Sequence, residues 1–419
     1  MTERDEGEGV KQAGTGQREH HWDAMRALLM VLGIPYHVAL AYQIGDGTGQ
    51  AWIVNAHESA RGFASFAHFI HLFRMPAFFI VAGYFASLLL ARRKPMLWLR
   101  GRFQRLGIPF LACLLLLNPL LNLACELSNF ALGPAFASLL HNSATSGGYW
   151  IRHLWFLIVL LYFCTAVALL FNFAPHLRGK MLPRRFDRWC ARHFMLFMLV
   201  LASLVGMWEA VSVEAFYAAG LATNGPQQIM RLDQALIYAP WFLIGCVAAR
   251  APLLRKRLYR FSMPITLAAI AFTVASLAFG DHLGPMAGRF LDALAALALA
   301  QVLIALCSHV VRRANPVTDR LVDVSFAIYL VHLPIITWLV VAARPLAMPV
   351  AMKSPLVMMT TFILSWFAAL LIARVPVLRL LFDGRKPLPE TGAPAPDVAI
   401  PPSPALCRDR RSGLRPSLP

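Results

Sequence analysis

Ten runs of about 20 predominantly apolar residues punctuate the chain, at approximately 24–44, 67–91, 106–127, 151–173, 194–212, 232–249, 261–280, 290–311, 323–343 and 355–373. Each is long enough to cross a hydrocarbon core of about 30 Å as an α-helix. A helix satisfies its own backbone hydrogen bonds in lipid, and the two-residue alternation of a membrane barrel strand is absent. The pattern predicts an all-α polytopic membrane protein of about ten transmembrane helices. Composition excludes a soluble fold, because 58% of the residues are hydrophobic and only 14% charged, leaving too little polar surface to cover such a core.

A net charge of +18 would suit a nucleic-acid partner if the basic residues shared one face, but they alternate with the apolar runs instead. The segments ARRKPMLWLRGRFQR, HLRGKMLPRRFDRWCAR, RAPLLRKRLYR and RRANPVTDR, with both tails, hold 31 of the 39 Lys and Arg residues. The opposite side has only Arg61, Arg231, Arg289, Arg344 and Lys353, while Arg26, Arg74 and Arg152 fall at or within spans. The positive-inside rule therefore puts both termini in the cytoplasm. The charge expresses topology and attraction to anionic lipid heads; membrane lipid is an expected partner and nucleic acid is not.

Three parts follow: a polar cytoplasmic N-terminal tail at 1–22, a transmembrane domain at 23–383, and a Pro- and Arg-rich tail at 384–419 with the composition of a disordered segment. No small-residue cleavage site follows the first span, so no signal peptide is expected. Seven scattered cysteines without a CxxC pair argue against a disulfide framework and against a metal site. No internal repeat, Walker loop, GxSxG elbow, HExxH helix or acidic pair within one span is present.

Ionisable residues inside lipid cost about 2.5–3.5 kcal/mol each on insertion scales, which makes them functional candidates. In the first span, DAMRALLMVLGIPYH, His37 follows Arg26 by eleven residues, so both lie on one helix face, roughly 16 Å apart along the axis. Pro35 and Gly33 between them are expected to bend the helix. Arg26 then sits near the inner surface and His37 in the outer half. The second span, AHFIHLFRMPAFF, repeats polar residues every three positions as His68, His71 and Arg74, at matching depth. Arg102 and Arg105, one turn apart in RGRFQRLGIP at the inner mouth of the third span, suit phosphate or pyrophosphate. Arg152 and His153 open the fourth span, and the ninth holds Tyr329 and His332 in SFAIYLVHLP. Glu126, Glu209, Glu214 and Asp292 lie near outer span ends and could line an outward mouth. Taken singly, each of these side chains also suits an ordinary role: snorkelling for Arg26, helix packing for His37 and His332, an interfacial stripe for His68.

As a set they resemble the acyltransferase type 3 membrane family. DAMRALLMVLGIPYH matches its DxxR and R-x10-H pattern, and FRMPAFFIVAGYF, RFQR, HLWFL and SFAIYLVHLP follow in the family's order, over about residues 18–385. Within the family, REHHWDAMRALLMVLGIPYHVALAYQ, FIHLFRMPAFFIVAGYF and RLGIPF are similar to the glucan biosynthesis protein C group, bacterial inner-membrane succinyltransferases of osmoregulated periplasmic glucans.

The resemblance implies an acyl-CoA donor in the cytoplasm, succinyl-CoA for that group, a periplasmic glucan acceptor, no bound cofactor and contact with glucan-synthesis machinery. On that basis Arg26, Arg102 and Arg105 would hold the coenzyme phosphates, with Asp23 pairing Arg26 or joining the donor site, and His37 would be the general base. His71 and Arg74 would meet a succinyl carboxylate or the developing oxyanion; His68, His153, Tyr329 and His332 would complete the acyl-group or acceptor site. Two alternatives stand beside this: an acetyltransferase of another envelope or secreted glycan, and a proton-coupled transporter of an anionic solute, for which intramembrane Arg and His are also suited. A shortage of deep carboxylates for proton relay weighs against the transporter.

Overall fold

The computed structural model describes residues 20–43, 54, 56–60, 62–221, 225–313 and 315–385. Residues 1–19 and 386–419 lie outside the described residues, and with them nearly all of both predicted tails. Among the described residues the chain is helical, without a strand. Nine helices are long and apolar enough to cross a bilayer: His20–Tyr42 (span 1), Phe63–Leu90 (span 2), Pro95–Leu127 (span 3), Gly147–Phe173 (span 4), Phe194–Ala218 (span 5), Gly225–Arg250 (span 6), Pro285–Val310 (span 8), Pro316–Ala343 (span 9) and Val350–Arg374 (span 10). A tenth, span 7, is the pair Pro252–Leu258 and Met263–Phe279, bent by 66° at the break. The protein is thus a multi-pass, all-α membrane protein.

Two boundaries differ most from the apolar runs. Span 3 starts at Pro95 rather than near 106 and carries Arg102 and Arg105 inside the helix. It widens into π turns at Phe103–Gly107 and Cys113–Leu117. Each π turn ends two residues before a proline, Pro109 or Pro119, which has no N–H to return to the preceding turn. Arg102 and Arg105 therefore do not share the simple α-helical turn that their spacing suggested. Before Met263, the basic segment RAPLLRKRLYR is largely a short helix, the first half of the bent pair, rather than a loop. Between spans 3 and 4, Leu132–Thr145 forms an additional helix with exposed Leu132, Phe136 and Leu140 on one side, the face of a helix lying in the membrane interface.

Spans 2 and 9 are the most enclosed, and span 10 faces outward most. Span 2 has no polar face for most of its length, as a helix surrounded by other helices should. It packs on span 6 through two glycines. A Cβ on Gly83 would stand 1.9 Å from the Phe242 carbonyl oxygen, and one on Gly245 would stand 1.9 Å from that of Ile80, so the backbones touch directly. In lipid, where burial itself gives helices little reason to associate, such close packing is a main source of adhesion. This seam fixes the span that carries Arg74.

Candidate active site

Span 1 is interrupted at Leu32, between helices His20–Val31 and Gly33–Tyr42, because Pro35 offers no N–H to the Val31 carbonyl. Gly33 then allows this bend to approach spans 2 and 9: a Cβ there would lie 2.9 Å from His332 Nε2 and 3.0 Å from Arg74 Nη1. One turn on, the buried His37 ring lies 5.3 Å, centroid to centroid, from His332, which lies 5.9 Å from His153. Tyr36 stacks on His71 at 5.6 Å, and the Arg74 guanidinium stands 4.6 Å from the centre of the Tyr36 ring. Spans 1, 2, 4 and 9 thus bring His37, His71, Arg74, His153, Tyr329 and His332 into one chamber. All are buried except His71, which is exposed yet surrounded by neighbouring helices, as a side chain lining an open recess would be.

Two hydrogen bonds set the chamber's back wall. The Tyr329 hydroxyl donates to the His153 carbonyl at 2.7 Å. His332 Nδ1 stands 2.6 Å from the Tyr329 carbonyl; a carbonyl only accepts, so Nδ1 carries the proton and Nε2 keeps its lone pair. That Nε2 has no hydrogen-bond partner and is the atom facing Gly33.

Arg74 is the most costly member. It is 6% exposed, its Nε has no partner, and no carboxylate among the described residues pairs with it. Its guanidinium lies over the Tyr36 ring, with Tyr329 and Tyr238 within electrostatic reach. Cation–π attraction of about 2 kcal/mol at a desolvated ring offsets only part of the several kcal/mol required to bury a charge. Such an arrangement suits an anion or a developing negative charge.

His68 departs from the expected stripe. Residues three apart rotate by about −60° around a helix, so His68 is turned away from the Arg74 side. Its Nε2 lies 2.9 Å from Ser276 Oγ and 3.7 Å from Asp292 Oδ1, with 42% of the side chain exposed. The acidic candidates also have partners elsewhere: Glu126 accepts from Tyr149 and Asn142, Glu209 from Trp241, Asp292 from Ser276, and Glu214 pairs with Arg289. Among the described residues no group of His, Cys, Asp and Glu has a metal-binding arrangement. Arg152, in the left-handed region at φ 45°, donates to Asn122 at 2.8 Å and leaves the chamber to His153.

At the cytoplasmic end, Asp23 and Arg26 pair at 3.5 Å. Arg102 lies within electrostatic reach of Arg105, Arg26 and Arg93, and its guanidinium stands 5.0 Å from the Trp98 ring centre. The three predicted arginines are together, joined by Arg93, which the sequence analysis did not single out. Tyr36 and Tyr238 were not singled out either, and Gly33 was read only as part of a bend. Tyr36 and Gly33 were visible as GIPYH, a glycine and an aromatic within one turn of the histidine.

The acyltransferase domain family matches residues 19–374, and the chain belongs to this acyltransferase type 3 family. It is a membrane-embedded acyltransferase. Among curated relatives it is similar to glucans biosynthesis protein C of Escherichia coli (strain K12), 30% identical over 331 residues covering 76% of this chain and 82% of the relative. The protein of the same description from Salmonella gallinarum is 28% identical over 390 residues, 88% of this chain and 96% of the relative. No solved structure matches.

Proposed function

We propose that this enzyme is a bacterial inner-membrane O-acyltransferase that carries succinyl from cytoplasmic succinyl-CoA to glucosyl hydroxyls of periplasmic glucans. The observation that carries it is Arg74, a buried guanidinium without a carboxylate beside the imidazoles of His37 and His332. The printed name of the relatives, glucans biosynthesis protein C, supports a glucan acceptor.

Arg26, Arg102 and Arg105 would take the phosphates of coenzyme A at the inner mouth, Asp23 holding Arg26 in place. The neutral pantetheine arm would run upward between the spans and bring the thioester to the chamber. There a sugar hydroxyl oxygen attacks the thioester carbon while His37 takes the hydroxyl proton; the carbon–sulfur bond breaks, and the proton passes to the thiolate, leaving an ester and free coenzyme A. Arg74, with His71 at the open side, meets the succinyl carboxylate or the oxyanion. His332, with its lone pair at Nε2, accepts from a neighbouring sugar hydroxyl; His153 and Tyr329 hold that wall. The same chamber serves an acetyl donor on another glycan if Arg74 meets only the oxyanion.

The test mixes membranes containing wild type or His37→Ala with labelled succinyl-CoA, labelled acetyl-CoA and periplasmic glucan, following label and added negative charge on the glucan. Succinyl incorporation that disappears in the variant supports donor, acceptor and base together. Acetyl incorporation alone moves the donor assignment, and label on neither, beside a working control enzyme, overturns the glucan reading.

A further inference from the structure

Away from the chamber, span 5 leaves an opening in the bundle. Along Phe194–Trp208 it leans on span 8 and stands off span 6, meeting it only near the π turn Glu209–Val213. That meeting is fixed by two tryptophans: Trp241 donates to Glu209 and Trp208 to the Leu236 carbonyl, both at 2.8 Å. Below these bonds lies a groove of about 490 Å³, open to the lipid side and almost wholly apolar. Leu204, Leu243 and Val247 line its walls, and Ile80, Ala239 and Ala300 lie deeper. From Phe197 to Trp208 it follows span 5 for about 16 Å at the helical rise.

The inner end of the groove rests on a cationic shelf. Phe186 reaches it from helix Arg184–Arg192, and Leu254 and Leu258 from helix Pro252–Leu258. The two helices are stapled together: Asp187, itself buried, accepts the backbone N–H groups of Leu253 and Leu254 at 3.0 and 2.9 Å, and Arg257 donates to the Ala191 carbonyl at 3.0 Å. With the one carboxylate turned inward, Arg184, Arg185, Arg188 and Lys256 face outward without acidic residues between them.

We propose that this groove binds one acyl chain of an anionic phospholipid of the inner leaflet, with the lipid phosphate on the Arg184–Arg192 and Pro252–Leu258 shelf. The occupant follows from the joined chemistry: an apolar slot of about 490 Å³ opening into the bilayer, and exposed guanidinium groups that favour phosphate on the helix whose Phe186 lines its inner end. Of the lining side chains only Gln301 and Trp208 carry polar atoms, and their N–H groups already donate to the Leu258, Arg260 and Leu236 carbonyls, so an intruding protein helix would find little to bond in the slot and would leave the shelf uncompensated. Ile80 on the groove floor also supplies the carbonyl that touches Gly245, so a chain seated there supports the seam that holds span 2. This site does not depend on which acyl group or acceptor the enzyme uses.

The full chain is purified in mild detergent, its retained lipid extracted and quantified, and the same preparation titrated with phosphatidylglycerol or phosphatidylcholine and read by native mass spectrometry. The expected result is about one anionic phospholipid per protein, enriched at least fivefold over its share of the source membrane. Leu243→Trp, which fills the slot from an exposed position, should remove that lipid, while Leu267→Trp, on the lipid face of span 7, should keep it. Arg185→Glu with Arg188→Glu should erase the preference for phosphatidylglycerol over phosphatidylcholine, and gel filtration and melting temperature verify folding. Retained lipid that mirrors the bulk membrane, equal retention by Leu243→Trp, or a polyprenyl phosphate in place of a phospholipid would overturn the proposal; if Leu243→Trp fails to fold, unchanged preference in the charge-reversed pair overturns it.

Discussion

The inner mouth and the chamber both place arginine at a candidate site, in opposite surroundings. At the mouth, Arg26 retains 35% side-chain exposure, pairs with Asp23, and has Arg93, Arg102 and Arg105 nearby. In the chamber, Arg74 is 6% exposed and faces rings. A cation near water is screened, and its loss is shared among neighbours. A cation in a dry site interacts strongly with whatever charge enters, and no neighbour replaces it. The mouth can therefore capture a polyanion by addition of modest contacts, whereas the chamber can discriminate between a neutral ground state and a charged transition state.

The sharpest break in that comparison comes from His37. Removal of a general base lowers turnover by about 10²–10⁴-fold, so His37→Ala should lose transfer while inserting normally, as seen by membrane fractionation and a melting curve. A loss below tenfold would move the base to the other imidazole with a lone pair in the chamber, His332 Nε2. Arg74→Gln comes next. Loss of one donor aimed at a developing oxyanion costs roughly 10²–10³-fold in kcat, and Arg74→Lys should rescue little, because an ammonium lacks the planar fork that lies over Tyr36. Full activity in Arg74→Lys would reduce the site to a point charge.

Gly33→Ala tests geometry without removing a polar group. The added methyl would meet His332 Nε2 and Arg74 Nη1 at 2.9 and 3.0 Å, so both must shift by a few tenths of an ångström. A misplacement of about 1 Å can cost 10²-fold, and this smaller one should lower kcat by about tenfold with the donor KM unchanged. At the mouth the signature reverses: Arg102→Ala should raise the donor KM by about tenfold, the 1.5 kcal/mol of a charge-assisted contact, and leave kcat alone. Added salt should raise the donor KM wherever the mouth is intact, in wild type and chamber variants alike, and less steeply in Arg102→Ala, leaving kcat unaffected. A kcat effect in Arg102→Ala, or a KM effect in Gly33→Ala, would erase the division of labour between mouth and chamber.

Much of this division was legible in the chain. The spans stand out because lipid demands about 20 apolar residues, and His37, His71, Arg74, His153 and His332 stand out because lipid excludes them without a reason. Their convergence was not legible, since nothing local tells span 9 to lie beside span 1. Tyr36 and Tyr238 were passed over, and Gly33 was read only as part of a bend, because glycine and tyrosine are common in membrane helices, and their role is apparent only from what they touch. The start of span 3 was misplaced because Arg100, Arg102 and Arg105 resembled loop charges, although the backbone through them is helical and widened ahead of Pro109. The groove beside span 5 was invisible in sequence, where an apolar residue lining a slot looks the same as one facing lipid.

His68 gives the finest distinction. It stands on the same helix as His71 and Arg74, two turns from the latter in sequence order, and a periodic stripe would make all three equivalent. The structure gives it Ser276 and Asp292 as partners and leaves 42% of the side chain exposed. Substitutions at such partly exposed positions usually change stability by about 0.5 kcal/mol or less, and a side chain outside the chamber has no route to the reacting atoms. His68→Ala should therefore keep kcat and the donor KM within about twofold of wild type in the same membrane assay, while His71→Ala, stacked on Tyr36 under Arg74, should not. Equal losses in the two variants would mean that the acceptor path runs out past His68 to Asp292, and the chamber would have to be redrawn with spans 7 and 8 as part of its wall.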